Sequence, residues 1–330
     1  MLVLDTKTAI MKLSVGKAGV SMYREEKLWD DSRWINVTDP DEQDLQKLQQ
    51  DFALPRKYRS YILDQRERSR FDYNEETKMG LLIWRVAVSD KQNGGFKVLP
   101  VSFVISEKFL ISVVNKEAKW VMNELEDLLH KLKQNKVRQP SPITLLLRLL
   151  WKINDQYVDQ IDEINGQREN LANYHRHPTN QQIAALSELS DQLVYLTTAT
   201  DNNVVAIQQM ELSSNSDGDD FQLNAKEHDF LSDVEVETKQ SQQITQDAAD
   251  LVDRLSNTYN NILNNNLNDT MRFLTVWSLI LAVPPIISGF YGMNMHLPWA
   301  KGEFAWVTTL FMTLALILLT MWIYRHYHSK

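Results

Sequence analysis

Two stretches near the C-terminus, FLTVWSLILAVPPIISGFY from Phe273 to Tyr291 and WVTTLFMTLALILLTMWIY from Trp306 to Tyr324, contain no Asp, Glu, Lys or Arg. As helices rising ~1.5 Å per residue, each would reach about 28 Å, close to the ~30 Å hydrocarbon core of a bilayer. A buried hairpin in a soluble core is the simpler alternative, but two adjacent uncharged stretches of this length argue for membrane spans. Both lie far from the N-terminus, so neither is a signal peptide.

The rest of the chain has the opposite character. Of 35 basic and 43 acidic residues, only Arg272, Lys301, Arg325, Lys330 and Glu303 lie beyond Met271, so residues 1–271 carry a net charge of −11. An acidic body of this kind repels nucleic-acid phosphates and suits cations. The chain has no cysteine, which excludes disulfides, Cys-ligated metal centres and a thiol nucleophile. It shows no Walker loop, no nucleophile–base pair and no metal triad, so neither an enzyme nor a nucleotide-driven pump is expected. Arg272 precedes the first span, Arg325 and Lys330 follow the second, and Lys301 in the connecting loop is offset by Glu303. The positive-inside bias therefore predicts both termini cytoplasmic and residues 292–305 outside, in a chain expected to be a multi-pass protein of the plasma (inner) membrane.

Residues 1–114 read as a cytosolic α/β domain. WINV at Trp34–Val37, MGLLIWRVAV at Met79–Val88, VLPVSFVI and FLISVV carry the β-branched and aromatic content of strands. Asp39 is placed to cap a helix with Pro40 at its first position and Asp41 and Glu42 in the first turn. Residues 115–222 read as helical: a short helix at 117–135, then two antiparallel arms. The first arm starts at Ser141-Pro142 with apolar positions Leu146, Leu149, Ile153, Val158, Ile161 and Ile164, and the second runs from Gln181 to Leu212. HRHP at His175–Pro178 and SSNSDGDD at Ser213–Asp220 break them. From about Asp229 a helical pattern runs without glycine or proline as far as Pro284, so residues 223–272 form a stalk that enters the first span, 273–291. The second span, 306–324, leaves a short tail, 325–330.

One face of the first span is unusual. Asn268, Met271, Leu274, Ser278, Ala282, Pro285 and Gly289 recur at three- or four-residue steps and are smaller and more polar than Phe273, Trp277, Ile280 and Ile287, which read as lipid-facing. Small residues also favour helix–helix packing, and periodicity alone leaves both readings open. Pro284-Pro285 favours a wet environment, because the backbone carbonyls freed one turn earlier are tolerated at membrane depth only beside protein or water. The span closes with Tyr291-Gly292-Met293-Asn294.

A YGMN sequence closing the first of two C-terminal spans, after an α/β domain and a long helix, resembles the CorA family of magnesium transporters. WINV near Trp34 and NDTMRFLT from Asn268 to Thr275 support the resemblance. It implies a homopentamer whose first span lines one axial pore, Mg²⁺ as substrate and regulator, and no resident cofactor. Gly292, Met293 and Asn294 would form the selectivity mouth, with Asn294 selecting and Met293 fixing the loop. Neutral amides suit that place, since Mg²⁺ sheds its waters reluctantly and conduction needs weak, repeated sites. Met271 and Leu274 correspond to an apolar gate, with Asn268 as a polar ring below, Ser278 and Pro285 on the pore wall, and packing between helices as the simpler alternative for the gate pair. Asp233, in FLSDV, resembles the family's regulatory Mg²⁺ ligand. Asp64, in LDQRER, is the candidate partner from the N-terminal domain; for both a solvated surface carboxylate is the alternative, more so for Asp64.

Two rival functions remain at this stage. In one, the cargo is Co²⁺, Ni²⁺ or Zn²⁺ rather than Mg²⁺, although Met293 in the triplet favours magnesium. Alternatively the chain is a membrane-anchored sensor or scaffold, which has no need of a polar stripe, Pro-Pro and an amide mouth together. The asparagines at 260, 261, 264, 265 and 266 suit a hydrated vestibule or simply an exposed helix. His175 and His177 read as a turn in water before a metal site, and Asp217, Asp219 and Asp220 lack the spacing of a calcium loop.

Overall fold

The computed structural model describes residues 2–6, 9–16, 19–28, 32–90, 95–134, 140–172, 178–215, 221–293 and 304–328. The chain divides into two units, one of residues 1–174 and 179–256, the other of residues 175–178 and 257–330.

The first unit is built on an eight-stranded sheet among the described residues: β1 Leu2–Thr6, β2 Ala9–Gly16, β3 Gly19–Lys27, β4 Arg33–Thr38, β5 Arg70–Asn74, β6 Met79–Ser89, β7 Phe96–Ile105 and β8 Phe109–Val114. Their spatial order is β1-β2-β3-β4-β8-β7-β6-β5. Every pair is antiparallel except β4–β8, where Trp34 stands opposite Leu110 and Val37 opposite Val113. The four strands expected from Trp34 onward are present. The run β1–β3, joined to β4 through the pairing of Met22 with Thr38, was not anticipated. Its mixed polar and apolar residues lack the continuous Val, Ile and aromatic run that marks β6. That run has a cause: from Met79 to Trp84 every residue is buried, so the strand is covered on both faces.

One face carries α1 (Glu42–Phe52) and α2 (Arg56–Leu63) over a core that includes Ile35, Val37, Leu45, Tyr58, Leu81, Ile83 and Ile111. The expected cap of α1 is corrected. Asp41, not Asp39, is the N-cap: its side chain accepts from the Asp44 N–H at 2.8 Å, and Asp44 accepts in return from the Asp41 N–H at 3.2 Å. This reciprocal pair satisfies two of the helix's free donors. Asp39 instead extends the sheet, donating its N–H to the Val114 carbonyl at 2.8 Å from a left-handed backbone with φ 57°.

The opposite face receives α3 (Trp120–Gln134), α4 (Pro142–Ala172) and α5 (Asn180–Ser214), with α4 against β8 and α5 against β5, β6 and β7. A 3₁₀ turn, Lys116–Ala118, stands before α3, so the helix expected at 117–135 begins later. The two arms are present, but their bases are part of the domain core. Leu146, Leu149, Ile153, Ile161 and Ile164 are buried as expected, whereas Val158 is only partly covered and Tyr157 takes the core position. Two polar side chains tie these helices to β6 at Arg85, beyond the first residue of its neighbour β5. Asn203 of α5 accepts from the Arg85 N–H and donates to its carbonyl, both at 3.0 Å, and accepts from the Ser69 hydroxyl at 2.6 Å. The Tyr157 hydroxyl donates to the same Arg85 carbonyl at 2.7 Å. Burial pushes the Tyr157 phenol above its ordinary pKa, so it remains a neutral donor.

The final helix of this unit is the first part of α6 (Ala225–Tyr291), a helix of 67 residues that reaches about 100 Å at ~1.5 Å per residue. Leu231, Val234, Thr238, Ser241, Thr245, Ala248 and Val252 are buried at alternating steps of three and four. This is the narrow seam of a coiled-coil-like contact. It is easily overlooked in sequence because its middle is Thr, Ser and Ala rather than Leu. Thr238 and Thr245 donate their hydroxyls to the Val234 and Ser241 carbonyls, each at 2.7 Å, so they are buried with their polar groups satisfied. Asn154 of α4 donates to Thr238 at 3.0 Å, and Gln242 donates to Asp201 of α5 at 2.8 Å.

Candidate functional site

In the second unit, the C-terminal part of α6 stands beside α7 (Ala305–His328). Both are long and apolar enough to cross a membrane, and almost none of either is buried within the chain. On α6 the shielded positions are Val276, Ile280, Val283, Ile287 and Tyr291; on α7 they are Val307, Thr309, Thr313, Ile317 and Thr320. Residues of both sets line a shared groove that includes Ile287, Tyr291, Thr309, Thr313 and Ile317. The Tyr291 hydroxyl points to the Met312 sulfur at 3.9 Å. Ile280 and Ile287, expected to face lipid, therefore face α7, and Ile287 is 8% exposed. The threonine face of α7 was missed. Its signal was available: hydroxyls at 309, 313 and 320 each bond a carbonyl of their own helix, leaving small, locally satisfied side chains at the contact.

The direction of this contact shows which face of α6 is left uncovered. At about 100° per residue, Met271, Leu274, Ser278, Ala282, Pro285 and Gly289 all lie within about 40° of the direction opposite Ile287. Asn268, five turns away, has drifted to about 80° from it. All seven are exposed, Met271 and Leu274 each at 57%. The small and polar face is thus not the packing face for α7; it is left without a partner in the single chain. Pro284 and Pro285 sit inside the helix, and their missing N–H groups release the carbonyls of Ile280 and Leu281.

At the end of α6 the Gly292 N–H still bonds the Ser288 carbonyl at 2.9 Å, and the Met293 N–H reaches Phe290 at 3.4 Å. A Cβ on Gly292 would stand 3.1 Å from the Ser288 oxygen, so glycine lets the chain leave the helix without crowding its last carbonyls. Met293 is half exposed. Asn294 lies outside the described residues, as do His175, His177, Asp217, Asp219 and Asp220.

The proposed regulatory residues belong to the first unit, and both are exposed. Asp233 lies on α6. Asp64 ends α2, where its side chain accepts from the Arg66 N–H at 2.8 Å and its carbonyl from the Glu67 N–H at 3.0 Å, which is a turn-forming role. Among the described residues no group of three or more His, Cys, Asp or Glu is arranged to hold a metal. Two residues beyond Asp233, Glu235 accepts from Glu211, whose carboxyl is raised by burial and then by this hydrogen bond, while Lys239 pairs with Glu235 at 2.7 Å. The asparagines at 260, 261, 264 and 265 are exposed, and Asn266 is partly covered.

The chain thus combines an α/β unit with two helices long and apolar enough to cross a membrane, one of which bears an uncovered small and polar stripe ending in a Gly-Met turn. The family model for CorA-like Mg²⁺ transporter proteins matches residues 29–325. The chain belongs to this family, the CorA divalent-cation transporters. Among solved structures, the complete CorA magnesium transporter from Methanocaldococcus jannaschii is similar at TM-score 0.77 and 19% identity, covering 98% of each chain. The full-length CmaX protein is similar at TM-score 0.69 and 15% identity, over 89% of this chain and 88% of its own. The ZntB cytoplasmic domain from Vibrio parahaemolyticus RIMD 2210633 gives TM-score 0.58 and 13% identity, over 79% of this chain and all of that one. No curated protein matches in sequence. At these identities the solved structures support the fold, and the family model supports the membership.

Proposed function

We propose that the protein is a channel-like conduit for Mg²⁺ influx, assembled from five copies with the α6 stripe facing a common axis. The observation that carries this reading is the exposed stripe opposite α7. A second copy of the same face is its natural neighbour, and a ring of such faces leaves a wet path between them. Gly292, Met293 and Asn294 form the outer mouth, Ser278 and Pro285 line the wall, and Met271 and Leu274 form an apolar constriction that blocks ions by dewetting, with the Asn268 ring beneath. The protein sits in the inner membrane with both termini in the cytoplasm, consistent with Arg272, Arg325 and Lys330.

The membrane potential suffices as a driving force. An elementary charge gains ~2.3 kcal/mol per 100 mV, so a divalent cation gains about 4.6 kcal/mol. Indicator flux into proteoliposomes, with Mg²⁺, Co²⁺, Ni²⁺ and Zn²⁺ compared under an imposed voltage, is expected to show Mg²⁺ entry without nucleotide. Collapsing the voltage should slow it several-fold. Correctly inserted protein that passes none of the four ions would instead be a scaffold or sensor.

Regulation follows from sites between subunits. Asp233 and a neighbouring subunit's Asp64 bind cytosolic Mg²⁺ and hold the closed state. Five such sites, lost on opening, give about 2 kcal/mol of closing bias when the ion equals its Kd and about 7 kcal/mol at tenfold Kd. Near-complete switching takes ~5.5 kcal/mol, so individually weak sites are adequate. Asp233→Ala is expected to shift inhibition by internal Mg²⁺ to several-fold higher concentration while leaving peak flux intact. An unchanged inhibition curve would remove Asp233 from this role.

A further inference from the structure

At the end of the membrane unit away from the Gly-Met turn, α6 and α7 enclose a lateral groove of about 620 Å³ whose walls include Phe273, Trp277 and Ile280 from α6 and Met321, Trp322 and Arg325 from α7. Its apolar part is largely aromatic. Phe273 and Trp277 meet edge to face at 5.9 Å, and Trp322 stacks on His326 at 5.4 Å with the rings 9° from parallel. Arg325 also lines the groove. It has no ion pair among the described residues, and α7 supplies none, because no Asp or Glu occurs after Glu303. The acid on the neighbouring stretch of α6, Asp269, is directed to Arg272 at 3.8 Å. A guanidinium presents five N–H donors in a planar fork suited to an oxyanion, and partial charge at the C-terminus of α7 supplies no full anion to meet it.

We propose that this groove holds an anionic phospholipid, its phosphate on Arg325 and one acyl chain lying over Trp277 and Ile280. The chemistry matches at both ends. Basic residues between membrane helices at the interface recruit anionic headgroups. Tryptophan rings at the same level offer an apolar face to the chain and an indole N–H to the ester region. The site rests on α6 and α7 spanning a bilayer, and not on ion selectivity or gating.

Brominated lipids, which quench nearby tryptophan fluorescence, test it in the full-length protein reconstituted into phosphatidylcholine vesicles. The difference between the wild type and Trp277→Phe isolates the signal of Trp277. Brominated phosphatidylglycerol is expected to quench that signal with about fivefold higher apparent affinity than brominated phosphatidylcholine, the effect of one basic residue near the surface. Arg325→Ala and Arg325→Gln should bring the ratio close to one while Trp277 stays quenched, and Arg325→Lys should keep part of the preference. Equal quenching by both lipids in the wild type, or a preference that survives Arg325→Ala, would overturn the proposal. Absence of quenching by either lipid would also overturn it and would mean that a neighbouring copy fills the groove. Mg²⁺ flux measured in the same vesicles separates the two ideas: normal flux without lipid preference refutes the lipid site and leaves transport intact.

Discussion

Asn294→Ala is expected to reduce Mg²⁺ uptake into proteoliposomes by at least tenfold, with the oligomer's size and helical content unchanged. In the proposed pentamer, a hydrated Mg²⁺ arriving at the mouth would present a shell of water hydrogens that a ring of carboxamide oxygens accepts without stripping the ion. Each net hydrogen bond is worth ~1 kcal/mol, so even two of five lost per ion cost more than a factor of ten in occupancy. Asn294→Asp discriminates further. A carboxylate ring raises affinity and slows release, so uptake should fall again while block by other divalent cations becomes stronger. If Asn294→Ala conducts like the wild type, the mouth lies elsewhere and the amide merely ends the turn begun at Gly292.

The second large effect lies far from the pore. Asn203→Ala should lower the thermal midpoint of the first unit by roughly 5–15 °C, followed by tryptophan fluorescence, to which the buried Trp84 beside Arg85 contributes. Asn203 serves three groups, but their losses are unequal. The Arg85 carbonyl retains the Tyr157 hydroxyl at 2.7 Å, whereas the Arg85 N–H and the Ser69 hydroxyl lose the Asn203 oxygen. Two groups left without a partner at ~1–3 kcal/mol each give a cost of about 2–5 kcal/mol. Tyr157→Phe leaves the Arg85 carbonyl its bond from Asn203 and should cost only ~1 kcal/mol. Equal losses in the two variants would mean that Asn203 matters for packing volume and not for closing the unpaired end of β6.

These two expectations differ in how they could be reached. The role proposed for Asn294 was reached from local order alone: a glycine, a methionine, then an amide directly after an uncharged span. Asn203 carries no such signal, since its function depends on a strand 118 residues earlier. The cap of α1 shows a finer limit. Asp39, Asp41 and Asp44 all suit a helix start, and only the reciprocal bonds of Asp41 with Asp44 decide among them. The seam of α6 was hidden for another reason. Burial there rests on threonines, serine and alanine, whose small size permits close approach and whose hydroxyls are satisfied by the preceding turn.

What the amino-acid order determined was the partition between water and lipid. About 19 uncharged residues, twice, can be accommodated only by a bilayer or a large core, and a helix without glycine or proline over some fifty residues has little choice but to continue. The CorA resemblance was legible for the same reason, since its motif sits at the edge of that partition. What tertiary structure decided was direction. Periodicity placed Ser278 and Pro285 on one face and Ile280 and Ile287 on another, but it could not say which face α7 would cover. The contact fell on the side that carries Ile280 and Ile287, where Ile287 meets Thr309 and Thr313 of α7, and this left the small polar stripe uncovered in the single chain. A helix surface has no preferred side until a neighbour is present.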